Sequence, residues 1–181
     1  MKKLLIILGI PGSGKDTQIV ELIKRRPAKV IRVGDLVREK AQHDSQVALD
    51  LKEGNLANDD LVNGLIEASI GSAPEDSFII SDGFPRDIEQ AKWLMQYAQK
   101  VGMEVEQVML LDVDDNTAME RLTKRGREDD QESTIRHRFD VFHQKTDEVV
   151  EYFSNLGMLI RVNGNGTPQE VLAEIKEKLT W

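Results

Sequence analysis

The sequence predicts a doubly wound α/β domain around a parallel sheet of about five strands. Three observations predict it. Short apolar runs rich in β-branched residues recur at Leu4–Leu8, Val30–Val33, Phe78–Ile80, Val108–Leu111 and Leu159–Val162. Helical patterns lie between them. A Gly-rich turn follows the first run directly. Short runs without polar alternation suit strands covered on both faces. The totals agree: 181 residues, 40% hydrophobic and 31% charged, fit one domain with a sizeable core.

The first run, Leu4–Leu8, follows Met1-Lys2-Lys3. It is too short for a signal peptide, and Gly-rich sequence rather than a cleavage site comes next. A buried first strand is the better reading. No apolar stretch approaches the ~20 residues that span a bilayer. Cysteine is absent, which excludes disulfides and Cys-ligated zinc and suits a reducing compartment. The formal net charge is −8, so nonspecific binding to nucleic acid or membrane surfaces is disfavoured. Any phosphate site must then be built locally from clustered Arg and Lys.

After the first strand comes Gly9-Ile10-Pro11-Gly12-Ser13-Gly14-Lys15-Asp16-Thr17. Its spacing is that of a phosphate-binding loop between strand and helix. Glycines let backbone amides point inward around an anion. The following helix adds the positive end of its dipole, and Lys15 adds a point charge. The strict pattern wants a hydroxyl immediately after the Lys. Here Asp16 stands there, and Thr17 comes one later.

Residues 35–72 hold helical pieces and no strand-like run, which reads as a small helical insert. After Pro85, Ile88, Ala91, Leu94, Met95, Ala98 and Val101 form one helix that Gly102 stops. Residues 125–132 are wholly polar or Gly and read as a surface loop. Ile135, Phe139, Phe142, Thr146, Val149 and Phe153 then mark one buried helical stripe. Arg138 flanks that stripe by ~60°, and His137 points to its far side, into solvent. Thr167-Pro168-Gln169-Glu170 reads as a capping box opening a last helix with Val171, Leu172, Ile175 and Leu179 on its apolar face. His43, His137 and His143 lack metal-ligand spacing and read as surface residues. Trp93 and Trp181 read as packing or terminal features, and Asp129-Asp130 as a solvated loop or a metal site.

Gly-x-Pro-Gly-Ser-Gly-Lys-x-Thr-Gln, at Gly9 to Gln18, resembles the opening of adenylate kinases and their UMP/CMP kinase relatives. Further matches follow in that family's order. Gly34-Asp35-Leu36-Val37-Arg38 resembles the segment whose Arg grips the monophosphate. Glu53-Gly54-Asn55-Leu56-Ala57 and Asp59-Asp60-Leu61 resemble the helical monophosphate lobe. Asp82-Gly83-Phe84-Pro85-Arg86 matches the family's signature at a strand end. Gln90 stands where adenylate kinases read the adenine of AMP. Arg121 and Arg125 resemble the lid entry, and Arg127, Asp129, Asp130 and Arg138 the lid exit.

The resemblance covers nearly the whole chain. It implies a P-loop NTPase fold in three α/β/α layers, with a monophosphate-binding insert at residues 35–72 and a very short lid at residues 125–132. The core would be residues 1–34, 73–124 and 133–181. It implies transfer of the terminal phosphoryl group of Mg·ATP to AMP. Lys15, Arg86, Arg125, Arg127 and Arg138 would be catalytic. ATP would lie on Gly12, Ser13, Gly14, Lys15, Asp16, Thr17 and Arg121. The monophosphate would lie on Arg38, Ala57, Gly83, Arg86, Gln90, Arg127 and Arg138. Asp82 would orient Mg²⁺ through water. The guanidinium fork suits this work, because it binds phosphate oxygens in pairs and stays charged.

This sequence departs from the family's pattern at three places. Asp16 replaces the usual Gly, Val33 replaces a Thr beside the AMP base, and only Gly126 separates Arg125 from Arg127. The alternatives are a UMP/CMP kinase, a weakly catalytic nucleotide-binding regulatory protein, and a kinase for another small metabolite. The protein is further expected to be a cytoplasmic monomer without nucleic-acid or membrane partners.

Overall fold

The computed structural model describes residues 1–127 and 130–179. The sequence readings for Asp129 and Trp181 lie outside these residues. The strands are β1 (Lys3–Leu8), β2 (Lys29–Arg32), β3 (Phe78–Asp82), β4 (Glu104–Asp112) and β5 (Leu159–Asn163). They form one parallel sheet in the order β2-β3-β1-β4-β5. All five apolar runs of the sequence therefore become strands. One boundary differs: Val33 opens a helix instead of closing β2.

The helices are α1 (Lys15–Arg25), α2 (Val33–Ala41), α3 (Ser45–Glu53), α4 (Asp59–Gly71), α5 (Ile88–Lys100), α6 (Asp115–Arg125), α7 (Glu132–Val141), α8 (Asp147–Asn155) and α9 (Pro168–Lys178). The side chains of β1 alternate between two cores, as the pleat requires. Leu4, Ile6 and Leu8 pack with α2, α3, α4, α5 and α8. Leu5 and Ile7 pack with Ile19 and Leu22 of α1 and Val171 and Ile175 of α9. The three layers follow. A third cluster joins Ile10 to Ala118 and Leu122 of α6 and Ile135 and Phe139 of α7.

Local chemistry sets the helix ends. Asp44 caps α3 by accepting from Gln46 and Val47, and Gly54 ends it with φ +82°. Asn58 caps α4 by accepting from Asp60 and Leu61. Thr167 and Glu170 form the predicted capping box on α9, with Pro168 at its first position. Gly102 follows α5 at φ +64°, as the sequence predicts, but Val101 is exposed rather than on the apolar face. Trp93 packs as predicted, stacked on Tyr97 and edge-on to Phe84.

The stripe from Ile135 to Phe153 is buried except at Phe142, which is half-buried. It is not one regular helix. Phe142–Thr146 form a wide π turn between α7 and α8. Such turns often mark functional positions. Here Thr146 Oγ1 donates to the Arg86 carbonyl at 2.9 Å.

Candidate active site

Connections from β1 and β3 leave toward opposite edges of the sheet, so a crevice opens beyond their carboxyl ends. Ligands of open α/β sheets bind at such switch points. A cavity of about 780 Å³ occupies this crevice. The site residues expected from the sequence can all be placed against it. Gly12, Ser13, Gly14, Lys15, Asp16, Thr17, Arg38, Ala57, Asp82, Gly83, Arg86, Gln90, Arg121, Arg125, Arg127 and Arg138 all line it.

The turn after β1 wraps tightly. Gly12 has φ +84°, and a Cβ there would stand 2.6 Å from the Ala118 carbonyl of α6. Only glycine fits this close approach. Gly14 begins α1 in the left-handed region and has no side chain to cap the first turn. The Lys15 ammonium folds onto the turn, donating to the Gly9 carbonyl at 2.7 Å and to Ile10 O and Ser13 Oγ at 3.3 Å. Burial depresses its pKa below the usual lysine range, and the charge of Asp82 opposes that shift.

Asp82 closes β3 and aligns with Ile7 of β1 and Arg32 of β2. Burial pushes its carboxyl up from the ordinary carboxylate range, against the charge of Lys15, while Asp16 adds to the rise. A carboxyl so placed gains from a nearby cation. Its oxygen chemistry fits Mg²⁺ held through water. Among the described residues, no group of three or more potential ligands forms a ready-made metal site.

The cations converge. Arg86 Nε donates to the Gly83 carbonyl at 2.7 Å. Burial lowers its pKa, Asp82 opposes, and the charges of Arg138 and Arg38 press in the same direction as burial. Those three guanidiniums thus share one field. Arg38 pairs with Asp35 on α2. Arg121 reaches from α6 to the carbonyls of Ser13, Asn165 and Gly166 at 3.3–3.4 Å, beside the turn. Arg125 binds Asp130 through two bonds of 2.9 and 2.8 Å. Arg138 approaches the same carboxylate at 3.7 Å.

A family model for adenylate kinase matches residues 7–158. The chain belongs to the adenylate kinase family. It is 33% identical to an adenylate kinase of Prochlorococcus marinus (strain MIT 9211), over 99% of this chain and 98% of that protein. It is 37% identical to an adenylate kinase of Xanthomonas oryzae pv. oryzae (strain MAFF 311018), over 97% and 98%. It is 35% identical to adenylate kinase 1 of a Nostoc strain, over 97% of each. Membership in this family makes the protein a nucleoside-monophosphate kinase.

Several partners in this adenylate kinase fold escaped the sequence reading. His137 is half-buried instead of solvated, because its Nε2 meets Asn55 Oδ1 at 2.9 Å. The loop after α3 packs onto α7 there: a Cβ on Gly54 would lie 3.3 Å from Arg138 Cγ. Asp130 is no solvated loop residue; its side chain is 0% exposed and gathers two arginines. Asp59 and Arg32 carry polar contacts into the cavity wall as well. The Arg32–Asp16, Asp59–Gln90 and Asn55–His137 contacts join residues 16 to 82 positions apart, which no local pattern announces. An acidic residue set between two arginines of opposed elements was the one available signal, at Asp130.

Proposed function

We propose that the protein moves the terminal phosphoryl group of Mg·ATP to AMP, giving two ADP. One observation carries this reading: the phosphate-binding turn and the guanidiniums of Arg38, Arg86 and Arg138 face one cavity. Two polyanions can be held end to end there. Phosphoryl transfer needs that alignment, charge neutralisation on the moving group, and exclusion of water.

In this reading Lys15, Arg125 and Arg127 bind ATP phosphates, and Arg121 borders the donor base. Arg38 and Arg86 hold the acceptor phosphate, with Arg138 between the two. Gln90, Ala57 and Gly83 line the acceptor side. Asp82 orients Mg²⁺ through water, and the ion when bound neutralises charge on the phosphates. No general base is required, because the attacking phosphate is already ionised.

Residues 35–72 and 125–132 are assigned as the segments that close over the nucleotides. A dinucleotide analogue should slow their proteolysis; equal cleavage with and without it would count against closure. The net charge of −8 supports small-molecule partners over nucleic acid or membrane, and the chain is read as a monomer. Mg·ATP and AMP meet in the cell's nucleotide pool, which supports a cytoplasmic location.

The test is an acceptor screen. AMP, CMP and UMP are each supplied with Mg·ATP, and ADP is followed by a coupled assay. Fastest turnover with AMP is expected. Faster turnover with CMP or UMP would replace the acceptor, and ATP binding without turnover would leave a binding protein.

A further inference from the structure

We infer that Arg32 and Asp16 form a compensating pair that sets the affinity of the Gly9–Thr17 turn for Mg·ATP, with Arg32 as the positioning residue. Arg32 Nε donates to Asp16 Oδ1 at 3.1 Å. Asp16 is the second residue of α1, directly after Lys15, in the first turn of the helix. That is the positive end of the dipole, where an incoming phosphate would settle. A bare carboxylate there repels a triphosphate. Asp16 also replaces the Gly of the motif this turn resembles, so its charge needs a local answer.

Arg32 supplies that answer from a fixed place. It ends β2 and aligns with Asp82 across the ladder, so it stands beside two carboxylates. Arg32, Asp16, Asp82 and Lys15 all line the one cavity. The pair is 33% and 59% exposed. Exposed pairs add little to fold stability. What this pair can change is the charge seen by a ligand, at a range of several ångströms where one unit still matters.

The inference rests on reading the Gly9–Thr17 turn as an ATP site, so the experiment separates the two. Calorimetry measures binding of the Mg complex of a non-hydrolysable ATP analogue to the full chain. Binding by the wild type tests the site alone; no binding there would remove both readings. Arg32→Ser should then weaken binding about tenfold, from one uncompensated charge. Arg32→Lys, which keeps the charge, should stay within about threefold of wild type. Asp16→Asn added to Arg32→Ser should recover most of the loss. Asp16→Asn alone removes a repelling carboxylate and leaves Arg32 in place, so it should bind more tightly than wild type. Melting temperatures should stay close throughout. A twofold or smaller effect of Arg32→Ser, no recovery in the double variant, or a tenfold loss from Asp16→Asn alone would overturn the pair's role.

Discussion

Gln90 Nε2 donates to Asp59 Oδ1 at 2.7 Å, while its Oε1 accepts the backbone N–H of Arg86 at 2.9 Å. The side chain is 1% exposed, so both ends of a buried amide are fixed. In the proposed reading, the remaining N–H and oxygen lone pair serve the acceptor base. Asp59 thus holds the amide in one of its two flips.

Gln90→Leu is therefore expected to raise KM for the acceptor by about tenfold to a hundredfold, the scale of a lost and unreplaced buried hydrogen bond. KM for ATP should hardly change. Initial rates with each substrate varied would show it; a parallel rise in both constants would contradict an acceptor-side role.

Lys15→Met should reduce kcat by about two to three orders of magnitude, as loss of a preorganised charge at the transferring group does. The fold should survive, because burial already works against the lysine's charge. Near-normal turnover would reject the role given to Lys15.

Asp82 ties stability to pH. Its folded-state pKa lies above the ordinary 3.8, chiefly because of burial. The folded chain thus binds this proton more readily than the unfolded chain. The stability present below 3.8 is lost as pH rises through the folded-state value. Asp82→Asn escapes that loss. Its melting temperature should gain on the wild type as pH rises from about 4 to about 7. Turnover with Mg·ATP should meanwhile fall. Identical pH dependence of melting in both proteins would show that burial does not burden Asp82.

Asp130→Ala should destabilise the fold by about 1–3 kcal/mol, since a buried acceptor for two guanidiniums disappears. Arg125 and Arg138 would also lose their orientation, so kcat should fall with it. Urea titration and rates together would test this; full stability with normal kcat would contradict the gathering role.

Much of this molecule is legible in the sequence, for reasons particular elements make plain. The inner strands β1, β3 and β4 are readable because each holds an uninterrupted apolar run covered on both faces, as Leu5 and Ile6 show by entering different cores. The turn is readable because its glycines are dictated by close approach, as at Gly12 under Ala118. The capping box at Thr167 is local, hence visible. The contacts of Arg32 with Asp16, Asn55 with His137 and Asp59 with Gln90 are tertiary. They depend on how helices cross, and periodicity carries no information about that. His137 is the instructive case. A helical wheel aims it away from the core stripe, yet the loop after α3 comes over to meet it.

One cavity is expected to hold a donor and an acceptor nucleotide together. Calorimetric titration with a dinucleotide whose polyphosphate joins two adenosines tests this directly. One molecule should bind per chain, more tightly than ATP or AMP alone, and both Lys15→Met and Arg86→Ala should weaken it strongly. Binding no tighter than ATP alone, or insensitive to Arg86→Ala, would contradict a shared cavity.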